Sequence, residues 1–465
     1  MELTREIVRR CQQITCSKLD EAVRDRVAYL LLDYLGVALR GTLSDSSQPI
    51  QRFLLGRAAG PSAVPVCGTG LRADAPYAAL ALGTAAHSLE LDDVVNAASL
   101  HPAVSVMSAA LAAGYLAESS GARLIEAIVA GYEVTVKLGI ALDPAAHYAQ
   151  GFHPTGTCGT MGAAIAAACM LGLDEQQMTN ALGIAGSQAA GSMEFLADGS
   201  FTKRLHAGWS AHAGVIAALL AAEGFTGPAS IIEGKFGFLH AYSPASDSSK
   251  VLAGWARPWE VMNTSIKPHA CCRYKQGAID CILQLAREQQ IGPDDVERIE
   301  VAILQAGFAL VADPPELKAN PQSVVDAQFS MPFGAAVALC NGNAFLNQYC
   351  LENVNSEEVR ALMKRVHCVR DETIEKDFPR KWPASVAIVT TDGRTCRCRL
   401  DHPKGDPENP LTWDEIIVKF NSLAGDVVDS QRCEAIVARV RAIEACPSVR
   451  ELLSGLCVPP VSEGV

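Results

Sequence analysis

The sequence predicts a mainly α fold, in which a large all-helical domain is formed by both chain ends and a smaller α+β domain is inserted between them. Three observations carry that reading. At 465 residues the chain exceeds the size at which one hydrophobic core usually suffices. Apolar residues recur at helical spacing in segment after segment as far as about Ser265, after which VERIEVAILQ (Val296 to Gln305) alternates with a period of two. Helical spacing then returns from Trp413. The boundaries are therefore drawn at 1–265 plus 405–465 for the helical domain and 266–404 for the insertion. A junction of two domains is where small-molecule sites often lie.

Taken in order, Glu21 to Leu39 places Val23, Val27, Leu30, Leu31, Tyr34 and Leu35 on one helical face, and Gly41 follows as a stop. The Gly- and Pro-rich stretch from Gln51 to Ala73 reads as connection, with a short extended piece at Ala63 to Cys67. Further helices are expected at Ala75 to Asp92, Val104 to Glu118, Arg123 to Leu142, Gly159 to Leu171, Asp174 to Ala190 and His206 to Glu223. Their faces are rich in Ala and Gly, so their backbones can approach closely in a compact bundle. In the insertion, Ala384 to Leu400 reads as two strands around the turn Asp392-Gly393, with a weaker strand at Lys364 to Arg370. Helices are expected there at Gln276 to Gln289 and Pro332 to Leu339.

Apolar residues make up 49% of the chain and charged residues 19%, which places it among globular rather than disordered proteins. A net charge of −12 leaves no excess of Lys and Arg for a nucleic-acid surface, although a few basic side chains in one pocket suffice for a small anion. The sixteen cysteines are scattered from Cys11 to Cys457 without a CxxC pair, so a reduced state and no metal knuckle are expected. The start, MELTREIVRRCQQ, lacks an apolar leader core and carries Glu2 and Glu6. Apolar stretches such as Met161 to Leu173 are too short to span a bilayer, so a cytoplasmic protein without a membrane partner is expected.

Against this Ala- and Leu-rich background, HSLELDDVVNAASLHP (His87 to Pro102) concentrates two histidines and three acids. If the helix begun near Ala75 continues through it, His87, Glu90 and Asp93 fall on one side, and His101 sits in a turn closed by Pro102. GFHPTGTCG (Gly151 to Gly159) sets His153 where a loop enters an apolar helix, a place that favours an anion; the alternative is a capping or core-filling histidine. DGSFTKRLHAGWSAHAG (Asp198 to Gly214) puts Lys203 and Arg204 beside a helix start, where the macrodipole disfavours cations, so an anionic ligand or Asp198 is needed to relieve them. His206 and His212, six apart, do not share a face. SIKPHACCRYKQG (Ser265 to Gly277) adds Lys267, His269, Arg273 and Lys275, which otherwise form a solvated basic loop.

Several imidazoles, one or two lysines and a carboxylate suit proton transfer beside a substrate carboxylate. There is no GxGxxG after a strand, no GxxxxGK[ST], no HExxH and no GxSxG, so nothing marks a cofactor.

These stretches, together with DAQFSMPFGAA at Asp326 to Ala336, occur in an order and at separations that resemble the MmgE/PrpD family of 2-methylcitrate dehydratases, cis-aconitate decarboxylases and iminodisuccinate epimerases. The resemblance spans nearly the whole chain. It implies a helical domain made from both chain ends, an α+β lid domain, a homodimer, and a cleft that works without metal or organic cofactor. Carried over by position, it implies catalytic roles for Glu90, His101, His153, Lys203 and His269, with Asp93, Arg204, Lys267 and Arg273 as substrate-binding neighbours. The chain departs from the decarboxylases of the family, which carry aspartate in the place of Glu90 and threonine about where Val94 stands. The expected reaction is therefore that of a cofactor-independent lyase on a small di- or tricarboxylic acid, first a 2-methylcitrate dehydratase-like hydro-lyase, with decarboxylation and epimerisation as alternatives. His101 and His153 are the acid and base candidates, and Lys203 and His269 stabilise the carbanion. A non-catalytic carboxylate-binding relative is the alternative of another class.

Overall fold

The computed structural model describes residues 2–57, 59–378 and 380–458. It is 58% helix and 7% strand, a mainly α protein. The chain divides into two compact units. One comprises the chain up to Ser88, Asp92–Thr264 and Thr412 onward; the other comprises Leu89–Leu91 and Ser265–Leu411.

The first unit is helical. Its elements are α1 (Leu3–Gln12), α2 (Glu21–Gly41), α3 (Ser47–Leu55), α4 (Ala75–Ala86), α5 (Ala103–Ala117), α6 (Gly121–Ala141), α7 (Pro144–Ala149), α8 (Pro154–Leu171), α9 (Glu175–Gly186) and α10 (Thr202–Ala222). The expected extended piece is the antiparallel pair β1 (Val64–Pro65) and β2 (Arg72–Ala73). The core is made of α4, α5, α6, α8 and α10, whose sequences carry so much Ala and Gly that the helices pass almost backbone to backbone. A methyl group at Gly162 on α8 would sit 1.8 Å from the Thr135 hydroxyl of α6, and one at Gly208 on α10 would sit 2.3 Å from the Leu80 carbonyl of α4. α10 is long and apolar enough to cross a membrane by length and composition, which the shorter Met161 to Leu173 stretch is not; 56% of its apolar window is buried inside the unit.

Thr412 and Glu415 form a capping box that starts the Trp413–Ala424 helix, which packs on α2. There Lys419 reaches the buried Asp33 at 2.6 Å, so chain ends distant in sequence close one core.

The second unit holds a four-stranded sheet of order β4-β3-β5-β6, with β3 (Val296–Ala302) parallel to β4 (Val366–Val369) and antiparallel to β5 (Ala384–Thr390). β6 (Thr395–Leu400) completes the expected hairpin through a turn whose Gly393 has φ +87°. The Gln276–Gln289 helix lies on β5 and β6, and Met331–Asn341 packs on that helix. Leu89–Leu91, expected to belong to the helical domain, group with this unit, and its far boundary lies at Leu411 rather than at 404.

Candidate active site

The stretch after α4 is not the helix continuation that its spacing suggests. α4 ends at Ala86, the Ser88 hydroxyl donates to the open Thr84 carbonyl at 2.6 Å, and Glu90 takes a left-handed φ of +56°. His87, Glu90 and Asp93 therefore do not share a helix face. His87 and Asp93 stay with the helical unit, whereas Glu90 belongs to the α+β unit. An antiparallel bridge between Val95 and Leu100 closes the loop, with Ser99 at φ +51°, and delivers His101 to the start of α5.

In the helical unit, His87 is fully buried and its Nδ1 lies 2.6 Å from Asp92 Oδ2. The same oxygen is 3.4 Å from His101 Nδ1, which also meets the Asp93 carbonyl at 2.5 Å. Asp93 accepts from the Ala103 amide at 3.2 Å and from the Tyr132 hydroxyl at 2.8 Å, so its carboxyl sits at the N-terminus of α5. Burial nevertheless pushes the Asp93 carboxyl up to about 8, with the Asp92 charge adding to the shift.

His153 occupies the N-cap position of α8 ahead of Pro154, in extended conformation and without a side-chain capping bond. Its ring is turned elsewhere: it stacks on His87 with centroids 5.7 Å apart, and its Nδ1 lies 3.2 Å from Nδ1 of His206 on α10. Burial, then the neighbouring His87, His206 and Lys203, hold His153 well below the usual imidazole range. His206 is lowered to about 4 by burial, then by His87 and Lys203. Lys203 and Arg204 lie in the first turn of α10; Arg204 donates to the Ser46 hydroxyl at 3.2 Å and stands 5.5 Å from the Phe201 ring. Asp198 accepts the Ser200 amide. His212 packs instead against Trp209 and Tyr77.

In the α+β unit, Lys267 Nζ stands 3.8 Å from Glu90 Oε2, both nearly inaccessible. His269 Nε2 lies 2.8 Å from Asp280 Oδ1, and its buried Nδ1 meets no hydrogen-bond partner. Arg273 forms a 2.5 Å ion pair with buried Asp406 and lies over Trp382. Gln328, from the DAQF stretch, donates to the Leu89 and Ala270 carbonyls at 3.1 Å each, tying the Glu90 segment to the His269 loop. Lys275 is buried, donates to the Ala327 and Gln328 carbonyls, and is pushed down to about 8 by that burial.

The expected residues thus fall into two sets, with His101, His153, Lys203, Asp93 and Arg204 in the helical unit and Glu90, Lys267, His269 and Arg273 in the other. Sequence reasoning passed over His87, Asp92 and His206 as site residues. All three lie inside the polar stretches of the sequence, but a continuous helix separates His87 from Asp92, and the spacing of His206 from His212 gives no sign of its contact with His153. Among the described residues no group of three or more His, Cys, Asp or Glu side chains is disposed to hold a metal ion.

The cis-aconitate decarboxylase-like protein oryM of Aspergillus oryzae is 28% identical over 97% of this chain and 96% of its own length. The cis-aconitate decarboxylase of Aspergillus terreus is 27% identical over 98% and 96%, and that of Homo sapiens 27% over 96% and 93%. The family model described as the MmgE/PrpD N-terminal domain matches residues 5–250, and that of the MmgE/PrpD C-terminal domain matches residues 269–443. Together these matches cover most of both units, and the chain belongs to the MmgE/PrpD family.

Proposed function

We propose that this protein is a lyase acting on a small di- or tricarboxylic acid, with decarboxylation of an unsaturated tricarboxylate such as cis-aconitate as its first candidate reaction. The observation that carries this reading is the group of buried and half-buried imidazoles beside Lys203, in which His153 and His206 are kept neutral. Neutral imidazoles accept protons at physiological pH, and a lysine next to them complements a substrate carboxylate. The names of relatives that span nearly the whole chain favour a carboxy-lyase.

In decarboxylation the carbon–carbon bond to the departing carboxylate breaks and CO2 leaves. The electron pair stays on the carbon skeleton, where Lys203 stabilises it, and the proton that completes the product comes from solvent, relayed to the carbon through a neutral imidazole of the cluster. A second reading is dehydration of a 2-methylcitrate-type acid, which Glu90 and Val94 favour because these residues depart from the decarboxylase pattern. There His153 takes the proton alpha to a carboxylate, the pair forms the double bond, and the β-hydroxyl leaves as water with a proton from His101. His269 and Glu90 enter the proposal through the family motif they occupy, and a homodimer is the oligomeric state proposed with it.

Incubating the full chain with cis-aconitate, 2-methylcitrate and iminodisuccinate and following products by NMR tests the reading. Itaconate-type product supports decarboxylation, and an unsaturated acid formed from 2-methylcitrate supports dehydration. Thermal stabilisation by these acids without any turnover would make the chain a carboxylate binder and end the enzyme reading.

A further inference from the structure

Four imidazoles stand ring to ring in the helical unit: His101, His87, His153 and His206, with successive centroid separations of 5.2, 5.7 and 5.4 Å. His101 and His153 already have work in the reaction proposed above. His87 lies between them and has none. Its Nδ1 is 2.6 Å from the Asp92 carboxylate. An ionised carboxylate offers only acceptors, so Nδ1 carries the hydrogen and donates, and in the neutral ring Nε2 is left as a bare lone pair.

That Nε2 is buried and meets no hydrogen-bond partner. A histidine kept for structure alone normally has both nitrogens satisfied, because a buried acceptor left unmet loses its hydration without compensation. The same unit supplies the contrast. His147 is equally buried, and its Nδ1 meets the Tyr242 carbonyl at 2.8 Å while its Nε2 meets the Thr157 hydroxyl at 2.9 Å. His87 thus has the arrangement of a base backed by an orienting carboxylate, with its working nitrogen unspent.

We propose that His87 is a further proton-transferring residue of this site and that Asp92 is its positioning residue, holding the ring by Nδ1 so that the bare Nε2 serves the substrate. The proposal rests on the reading of the helical unit as the place of proton transfer. In dehydration, as a substrate C–H bond breaks and the Nε2–H bond forms, the electron pair remains on the substrate, the imidazolium lies against the Asp92 carboxylate, and the proton is then passed to the departing hydroxyl. In decarboxylation, where no C–H bond breaks, Nε2 takes a proton from solvent and gives it to the carbon that CO2 has left. Because the same Asp92 oxygen lies 3.4 Å from His101 Nδ1, one carboxylate serves two adjacent rings.

The test combines ring spectroscopy with turnover, on the full chain. With histidine labelled by 15N in the ring and no substrate present, His87 gives the signals of a ring protonated at Nδ1, and Asp92→Asn changes them. With the acid that is turned over, Asp92→Asn lowers kcat by about 10- to 100-fold with KM held within about threefold. Asp92→Glu, which keeps the carboxylate, recovers part of that loss. His87→Gln lowers kcat by about 100-fold or more; should it fail to fold, the Asn and Glu variants at position 92 decide. Unchanged ring signals in Asp92→Asn, or changed signals with kcat retained, overturn the proposal. A wild-type chain that turns over none of the acids overturns the functional reading instead, and the ring signals alone then decide whether Asp92 holds His87.

Discussion

Burial acts in opposite senses on the acid and the bases of the helical unit, pushing Asp93 up to about 8 and His206 down to about 4. Asp93 holds its proton more tightly in the folded chain, so the stability it contributes is fully present below the ordinary value of 3.8 and is lost as pH rises towards 8. His153 and His206 hold theirs less tightly when folded. Their contribution is full above the ordinary 6.5 and is lost as pH falls, for His206 down to about 4. Between pH 6.5 and 8 Asp93 therefore acts without opposition from these two rings. The melting temperature of the wild type is expected to fall across that window, and that of Asp93→Asn, which keeps an acceptor for the Ala103 amide, to fall less, the remaining slope coming from Glu133, which burial pushes up to about 7. Calorimetry at four or five pH values checks it. For catalysis, His101→Ala and His153→Ala are each expected to reduce turnover by about a hundredfold to ten-thousandfold while circular dichroism remains unchanged. An active double variant would remove both from the mechanism.

At the level of elements, the same Ala- and Gly-rich faces that made the helices legible also make them intolerant. α10 passes α4 so closely at Gly208 that an added methyl would meet the Leu80 carbonyl and the Thr84 hydroxyl. Gly208→Ala is expected to cost about 1–3 kcal/mol by overpacking, read as a lower urea midpoint, and to displace the turn that carries Lys203 and His206. The spacing of apolar residues correctly located α5, α6, α8 and the β5–β6 hairpin, because in each the buried face and the period agree. It failed after Ala86 for a definite reason. The stop is made by Ser88 folding back on Thr84 and by a left-handed Glu90, with no Gly or Pro to announce it, while HSLELDD keeps a helix-like spacing. The participants of the site were therefore visible as residue types. Their pairing, Asp92 with His87 rather than Glu90 with His87, depended on a turn that composition does not encode.

For the molecule as a whole, the helical unit needs residues from both sides of the insertion. The pair Lys419–Asp33 is almost wholly buried, and burial pushes the Asp33 carboxyl up against the pull of Lys419. Removing one partner strands the other charge, so Lys419→Met is expected to destabilise the chain by about 3–5 kcal/mol, measurable by chemical unfolding. A chain ending at Leu411 loses this pair and the packing of the Trp413–Ala424 and Ser430–Arg441 helices on α2, and is expected to lose its cooperative thermal transition. The return of helical spacing at Trp413 showed that such a cover exists. Which helix it covers was not legible, because an apolar face declares that it is buried without naming its partner.

That discontinuity also sets an order of assembly during translation. When α2 leaves the ribosome, its flank with Asp33 has no lysine to meet, and none arrives until the insertion has been synthesised. The inserted unit, contiguous apart from Leu89–Leu91, has all its strands available first. The helices that carry the four ring-to-ring histidines are all synthesised before the insertion, so a nascent chain stalled within it holds the imidazoles on their own helices while the Asp33 flank of α2 is still bare.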